Sequence, residues 1–307
     1  ATVVNCTMGN LELAGSFTGL TKVNSNMGSV SIDVEESERE VSFQSSVFLG
    51  SARFNGKKLG GIKEDLIFDK TYTCPVCDKV FKAKNVKAGK VKLISMDSDL
   101  RPRYQVMDSL KYDAVVCPNC GYAALNRFFN YMTSVQAKLI TTNISASFRG
   151  LPDEGSVYSY DDAIARHKLA LVNTIVKRSK LSEKAYTCLK TAWLIRGKYE
   201  TLPAETPDFV NVKKALQEEE MEFLKNAYEG FQEAFSKEMF PMCGMDENTC
   251  TYLVGELARM LGHYEEASRW ISRVLTARDA NERIKAKARE AKELITAAVK
   301  GSTTGKA

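Results

Sequence analysis

The chain divides by the period of its apolar positions. Over residues 1–60, apolar and polar side chains alternate in short runs, as in Leu11-Glu12-Leu13 and Val30-Ser31-Ile32-Asp33-Val34. Alternation predicts strands with one buried face. Each of three such places carries a Gly turn: Met8-Gly9-Asn10-Leu11, Met27-Gly28-Ser29-Val30 and Leu49-Gly50-Ser51-Ala52, at steps of 19 and 22 residues. A strand unit recurring about every 20 residues predicts stacked β-solenoid coils. An antiparallel meander can be read from the same pattern. Gly60-Gly61 marks a composition shift and predicts a linker. Residues 62–150 mix strands, tight turns and one helix, with Lys90-Val91-Lys92-Leu93 alternating as a strand does. From about residue 160 the period becomes helical, interrupted at Pro203, Pro207 and Pro241, with one helix predicted near 209–236. Asp246 is placed to cap the helix that follows Pro241, with Thr249 in its first turn.

Composition narrows the class. The 307 residues are 44% hydrophobic and 26% charged, which is ordinary for a globular protein. No apolar run approaches the roughly 18 residues of a spanning helix, so no membrane span is expected. The net charge of +5 is uneven: residues 61–150 carry 14 basic and 8 acidic side chains. No charged start and apolar core open the chain at Ala1, so no signal peptide is read. Eight cysteines in this length are too sparse for a secreted disulfide framework, which points to a reducing compartment, the cytoplasm.

Four of those cysteines carry the strongest signal. Cys74-Pro75-Val76-Cys77 and Cys117-Pro118-Asn119-Cys120 are matched Cys-Pro-x-Cys pairs separated by 39 residues. A tight turn aims both sulfurs of a pair at one point, and two facing turns complete a tetrahedral four-thiolate site suited to one structural Zn²⁺. Gly121 and Asp78 follow the two pairs, where the turn favours positive φ. The spacer exceeds the usual 15–20 residues or so and must be an ordered insert, such as a hairpin or small sheet. A redox Cys-x-x-Cys pair is the rival, but it needs a helix N-terminus in a βαβ setting and leaves the second pair unexplained.

Between the pairs lies Asp97-Ser98-Asp99-Leu100-Arg101-Pro102-Arg103-Tyr104, and after the second comes Gly121-Tyr122-Ala123-Ala124. The whole array resembles a bacterial family catalogued as domain of unknown function 2225. The resemblance runs from about Phe68 to Leu294. It implies a zinc-ribbon-like module followed by tetratricopeptide-like helices. Residues 1–60 lie outside it and resemble, weakly, the tail of an adhesin-type β-solenoid. Asp97, Asp99, Arg101, Arg103 and Tyr104 read either as a recognition loop gripping a carboxylate or phosphate, or as an internal ion pair with Pro102 and Tyr104 packed on the cysteine module. Lys82, Lys84, Lys87, Lys90 and Lys92, with Lys79, form a basic strip. Such a strip suits nucleic acid, and it equally suits a solvated strand edge protected from pairing.

Two helical segments share a pattern: Leu189, Ala192, Trp193 and Ile195 before Gly197-Lys198-Tyr199, and Val254, Leu257, Ala258 and Met260 before Gly262-His263-Tyr264. The glycines stand 65 residues apart, near twice the tetratricopeptide period. In both, the glycine is expected at a turn with Tyr filling the gap. Stacks of such hairpins bind peptides on a concave face. No phosphate-binding loop, Gly-x-Ser-x-Gly or His-Glu-x-x-His motif is present. The fold class expected is α+β multidomain: a β-rich segment over 1–60 (solenoid-like or meander), a zinc-ribbon-like Cys₄ module over 62–150, and a tetratricopeptide-like helical domain over 155–300. The function expected is a non-catalytic, zinc-stabilised adaptor for a protein or peptide, with no small-molecule substrate. The alternatives are a nucleic-acid-binding regulator and an unrecognised enzyme.

Overall fold

The computed structural model describes residues 2–6, 11–15, 21–27, 30–34, 46–49, 52–54, 57–59, 66–153 and 155–304, with side chains from 66 to 300. The predicted linker at Gly60-Gly61 lies outside them. Two compact units are resolved, 1–68 and 69–307.

In the first unit, β1 (Thr2–Cys6), β3 (Thr21–Met27) and β5 (Ser46–Leu49) form one sheet, and β2 (Leu11–Gly15), β4 (Val30–Val34), β6 (Ala52–Phe54) and β7 (Lys57–Leu59) another. All pairs except β6–β7 are parallel. Thr2 stands opposite Thr21 and Leu11 opposite Val30, 19 residues apart; Asn24 stands opposite Ser46 and Val30 opposite Ala52, 22 apart. These offsets equal the steps of the Gly repeat. Stacked coils need parallel pairing with a constant offset, whereas a meander pairs antiparallel.

The second unit opens with β8 (Ile67–Thr73) and β9 (Val80–Val86), a two-stranded sheet. β10 (Leu93–Met96) pairs antiparallel with β11 (Pro102–Tyr104), and β12 (Ala114–Val116) with β13 (Ala123–Leu125). A short helix α1 (Ser134–Ile140) follows, started by a Thr133/Gln136 capping box. Then come α2 (Tyr160–Val176), α3 (Leu181–Glu200), α4 (Phe209–Lys237), α5 (Glu247–Met260), α6 (Tyr264–Thr276) and α7 (Glu282–Thr304). The sequence sets their ends. Ser159 and Asp162 form a capping box at α2, and the Asp246 side chain accepts from the Thr249 N–H at α5. The interruptions at Pro203, Pro207 and Pro241 fall in the loops around α4, as a missing N–H and fixed φ require.

The main core lies among α3–α7, where Leu189, Leu194, Ile195, Leu224, Phe231, Val254 and Leu257 are fully buried. α3 is covered on most sides, which is why its apolar residues do not fall on one stripe. α2 bridges to the cysteine-bearing half. Its Ala170 packs on Ala114, Ala123 and Leu125, and the Asn173 Nδ2 donates to the Gly121 carbonyl at 3.2 Å.

Gly262 is a turn glycine between α5 and α6, at φ +80°. Gly197 is not: it lies inside α3, where an added Cβ would come 2.5 Å from the Tyr160 ring. A close helix–ring approach demands glycine there, not a turn. Gly197→Ala is expected to cost about 1–3 kcal/mol in denaturant melts, with the loss reduced in a Tyr160→Leu background; an unchanged midpoint would refute the close approach.

His167 is buried on α2, with its Nδ1 2.8 Å from the Ala163 carbonyl oxygen. Burial pulls its pKa from 6.5 to about 4, although Asp113 works the other way. The unfolded chain therefore takes this proton near pH 6.5 and the native state only near 4. Its contribution is complete above the upper value and is lost as pH falls through the interval, about 2 kcal/mol by pH 5. His167→Gln should remove this acid-side loss, read as the pH 7 to pH 5 change in unfolding midpoint relative to the parent chain.

Candidate metal centre

Each cysteine pair sits in a turn between two strands. Cys74 to Cys77 join β8 to β9, and Cys117 to Cys120 join β12 to β13. The two turns repeat one hydrogen-bond pattern. Asp78 N donates to Cys74 O at 2.9 Å and Cys74 N to Lys79 O at 3.0 Å; Gly121 N donates to Cys117 O at 3.0 Å and Cys117 N to Tyr122 O at 2.8 Å. Asp78 and Gly121 both have positive φ, +58° and +74°. Only the second position is crowded: a Cβ on Gly121 would meet the Phe148 ring at 2.5 Å. That explains glycine in one turn and aspartate in the other. The spacer is filled by β9, β10 and β11 and a single 3₁₀ turn at Ser109–Tyr112, whose first N–H groups are capped by Asp108.

The four sulfurs converge, all within 4.8 Å of one another. Cys74 Sγ lies 3.5 Å from Cys120 Sγ, and Cys77 Sγ lies 3.7 Å from Cys117 Sγ. Disulfide sulfurs sit at about 2.05 Å, so these are separate thiols. Corners of a tetrahedron with 2.3 Å metal–sulfur bonds are about 3.8 Å apart. The set therefore fits a metal ion. Amide donors support the anionic form: Val76 N lies 3.4 Å from Cys74 Sγ, and Asn119 Nδ2 lies 3.9 Å from Cys117 Sγ. Thiol donors from Cys120 and Cys74 hold the Cys117 thiol down at about 2, and in return Cys74 is pushed up to about 12 and Cys120 higher still. One thiolate thus collects the protons of its neighbours, an arrangement that a cation relieves by replacing them. Neither pair begins a helix, as the redox reading requires. Beneath the sulfurs, Tyr72 stacks on Phe81 at 5.8 Å, and Phe129 meets both edge-on.

The Asp-Arg segment lies against the helices. Asp99 is fully buried and accepts from Trp193 Nε1 at 2.9 Å and Arg196 Nη2 at 2.8 Å. Arg196 Nε donates to Glu220 Oε1 at 2.6 Å. Arg101, also buried, reaches Glu200 at 3.0 Å, and Arg103 is clamped between Asp97 and Glu200. Burial would lower the Arg196 pKa, but Asp99 and Glu220 outweigh it and raise it. Burial would raise the Glu200 pKa, yet the hydrogen bond from Arg103 and the charges of Arg101 and Arg103 bring it below its ordinary value. The segment thus joins the spacer to α3 and α4. Leu100 and Tyr104 pack on the helical core, not on the cysteine module, because Asp99 draws the segment to α3.

The family model described as an uncharacterized protein conserved in bacteria (DUF2225) matches residues 67–295. The chain belongs to this family. The match takes in both cysteine pairs, the Asp-Arg segment and its partners on α3 and α4; residues 1–66 fall outside it. No curated protein and no solved structure matches the chain.

Within the family region, sequence reasoning missed Trp193, Arg196, Glu200 and Glu220. The available signal was charge among apolar positions: Arg196 closes the run Ala192-Trp193-Leu194-Ile195, and a buried helix does not carry an arginine without a partner. The basic strip is interrupted. Lys82, Lys87, Lys90 and Lys92 are exposed, but Lys84 is paired with Asp153 and lies 4.9 Å over the Tyr158 ring. The rest of the strip is not a continuous cationic track, because loop 151–158 folds over its middle. Cys188 and Cys250 are buried in helical cores, and Cys243 Sγ donates to Ser182 O at 3.2 Å, so all three pack or bond internally.

Proposed function

We propose that the protein is a non-catalytic, zinc-stabilised adaptor of the cytoplasm that binds a protein or peptide through its helical surface. The observation that carries the reading is how the reactive groups are used. Four thiolates around Zn²⁺ leave no open coordination position for water or substrate. The Asp-Arg segment is spent on pairing within the protein rather than offered to a ligand. α5 and α6 read as a tetratricopeptide-like hairpin: Gly262 makes the turn, and Gly255 lets α6 approach so that a Cβ there would lie 3.0 Å from Trp270 Cβ. Exposed Val172 and Ile175 on α2 and Val210 on α4 give the helices apolar contact area. The first unit reads as a short β-solenoid stack. Among the described residues no helix is long and apolar enough to cross a membrane.

The test is capture on the immobilised full chain from bacterial lysate, with and without nuclease, beside a Val172→Glu/Ile175→Glu bait. A defined protein retained after nuclease and lost from the substituted bait is expected. Material that disappears with nuclease would instead favour nucleic-acid binding through Lys82, Lys90 and Lys92, and its affinity should then fall steeply with salt.

A further inference from the structure

β10 is an edge. It pairs antiparallel with β11, through Leu93 opposite Tyr104 and Met96 opposite Pro102, with a bulge between Leu93 and Ser95. Among the described residues no strand covers its other side. An uncovered edge presents backbone N–H and C=O groups to any chain that can pair with them, and proteins blunt such edges with charge or proline. Leu93-Ile94-Ser95-Met96 contains neither. Leu93 is 51% exposed and Ile94 66%.

Positive charge stands at both ends of this strand. Lys90 and Lys92 precede it, exposed and without a carboxylate partner among the described residues. At the far end, α7 brings Arg283 Nη2 to 2.6 Å from Met96 Sδ and Lys287 Nζ to 3.2 Å from Asp97 O. At about 3.3 Å per strand residue, the two cationic ends lie on the order of 15 Å apart. Lys287 also closes the edge beyond Met96, which limits the length that can be added.

We propose that the free edge of β10 docks a short acidic segment of a partner protein, taken up in extended form as an added strand. Backbone pairing supplies the attraction, apolar side chains in the middle of the segment cover Leu93 and Ile94, and acidic residues at its ends meet the two cationic pairs. The exposed backbone edge selects a peptide over the other anionic partners: a lipid surface or a nucleic-acid strand can answer the lysines, but neither offers a matching ladder of donors and acceptors. This surface is separate from the helical faces, and the proposal does not depend on them.

The experiment uses the full, metal-loaded chain and a labelled heptapeptide with two acidic residues at each end of a Val-Thr-Val centre. Saturable binding is expected, with amide shifts concentrated at residues 92–96. It should weaken about tenfold when alternate peptide amides are N-methylated, and about fivefold in Lys90→Glu/Lys92→Glu, whose metal content and melting stay those of the parent. No saturable binding, equal binding by the N-methylated peptide, or shifts on another face would overturn the proposal. So would preferential capture of phosphatidylserine vesicles or an oligonucleotide, lost in the same lysine variant. The helical reading is tested by Val172→Glu/Ile175→Glu, so the two can fail independently.

Discussion

Cys117→Ser protein is expected to hold no stoichiometric metal and to melt far below the parent chain, with the sheets around the cysteines lost first. Cys117 is buried, it carries the lowest of the shifted thiol pKa values in the cluster, and its turn leads directly into β13. A structural zinc contributes on the order of 10–16 kcal/mol in small zinc-binding peptides. That rivals the whole 5–15 kcal/mol or so by which a domain is usually stable. Chelation of the parent chain should reproduce the variant's melting curve. Elemental analysis and thermal unfolding together decide the matter: full metal content with an unchanged transition would remove the metal assignment.

Asp99→Ala should be the most damaging substitution away from the cysteines, at about 3–5 kcal/mol. Asp99 has no exposed surface, and its loss strands the Arg196 guanidinium and the Trp193 N–H in a site with no water to replace it. Arg103→Ala, at a position one third exposed, should cost about 1 kcal/mol or less by comparison. Urea unfolding of the three proteins tests this ordering. Similar losses for both variants would mean that Asp99 is held by its neighbours without holding them in return.

These two predictions also show what the sequence makes legible. The cysteine site could be read because it is local: two turns, four ligands and the residue after each pair are set by a handful of adjacent positions. The parallel pairing of β1, β3 and β5 was legible because a repeat of Gly turns carries its own offset. Asp97 to Tyr104 stood out as a motif, but its partners did not, since Arg196 lies 97 residues from Asp99 and nothing between them encodes the meeting. Gly197 was misplaced for a related reason. A glycine made necessary by a ring arriving from Tyr160 has the same sequence appearance as one that ends a helix. Lys84 was counted with its neighbours because period alone does not show that Asp153 returns to meet it.

The separations in sequence also bear on the order in which the chain assembles. Cys77 and Cys117 are 40 residues apart, whereas Asp99 and Arg196 are 97 apart. Closing the longer loop from an open chain costs about 0.8 kcal/mol more, by the logarithmic dependence on length. Once the cysteine pairs have met, most of the segment from 74 to 120 is gathered, and the remaining search of residue 99 for α3 is shorter. Metal capture is then a shortcut through the slowest part of the search. The rate at which newly made chains mature would follow the supply of metal as much as the chain's own collapse.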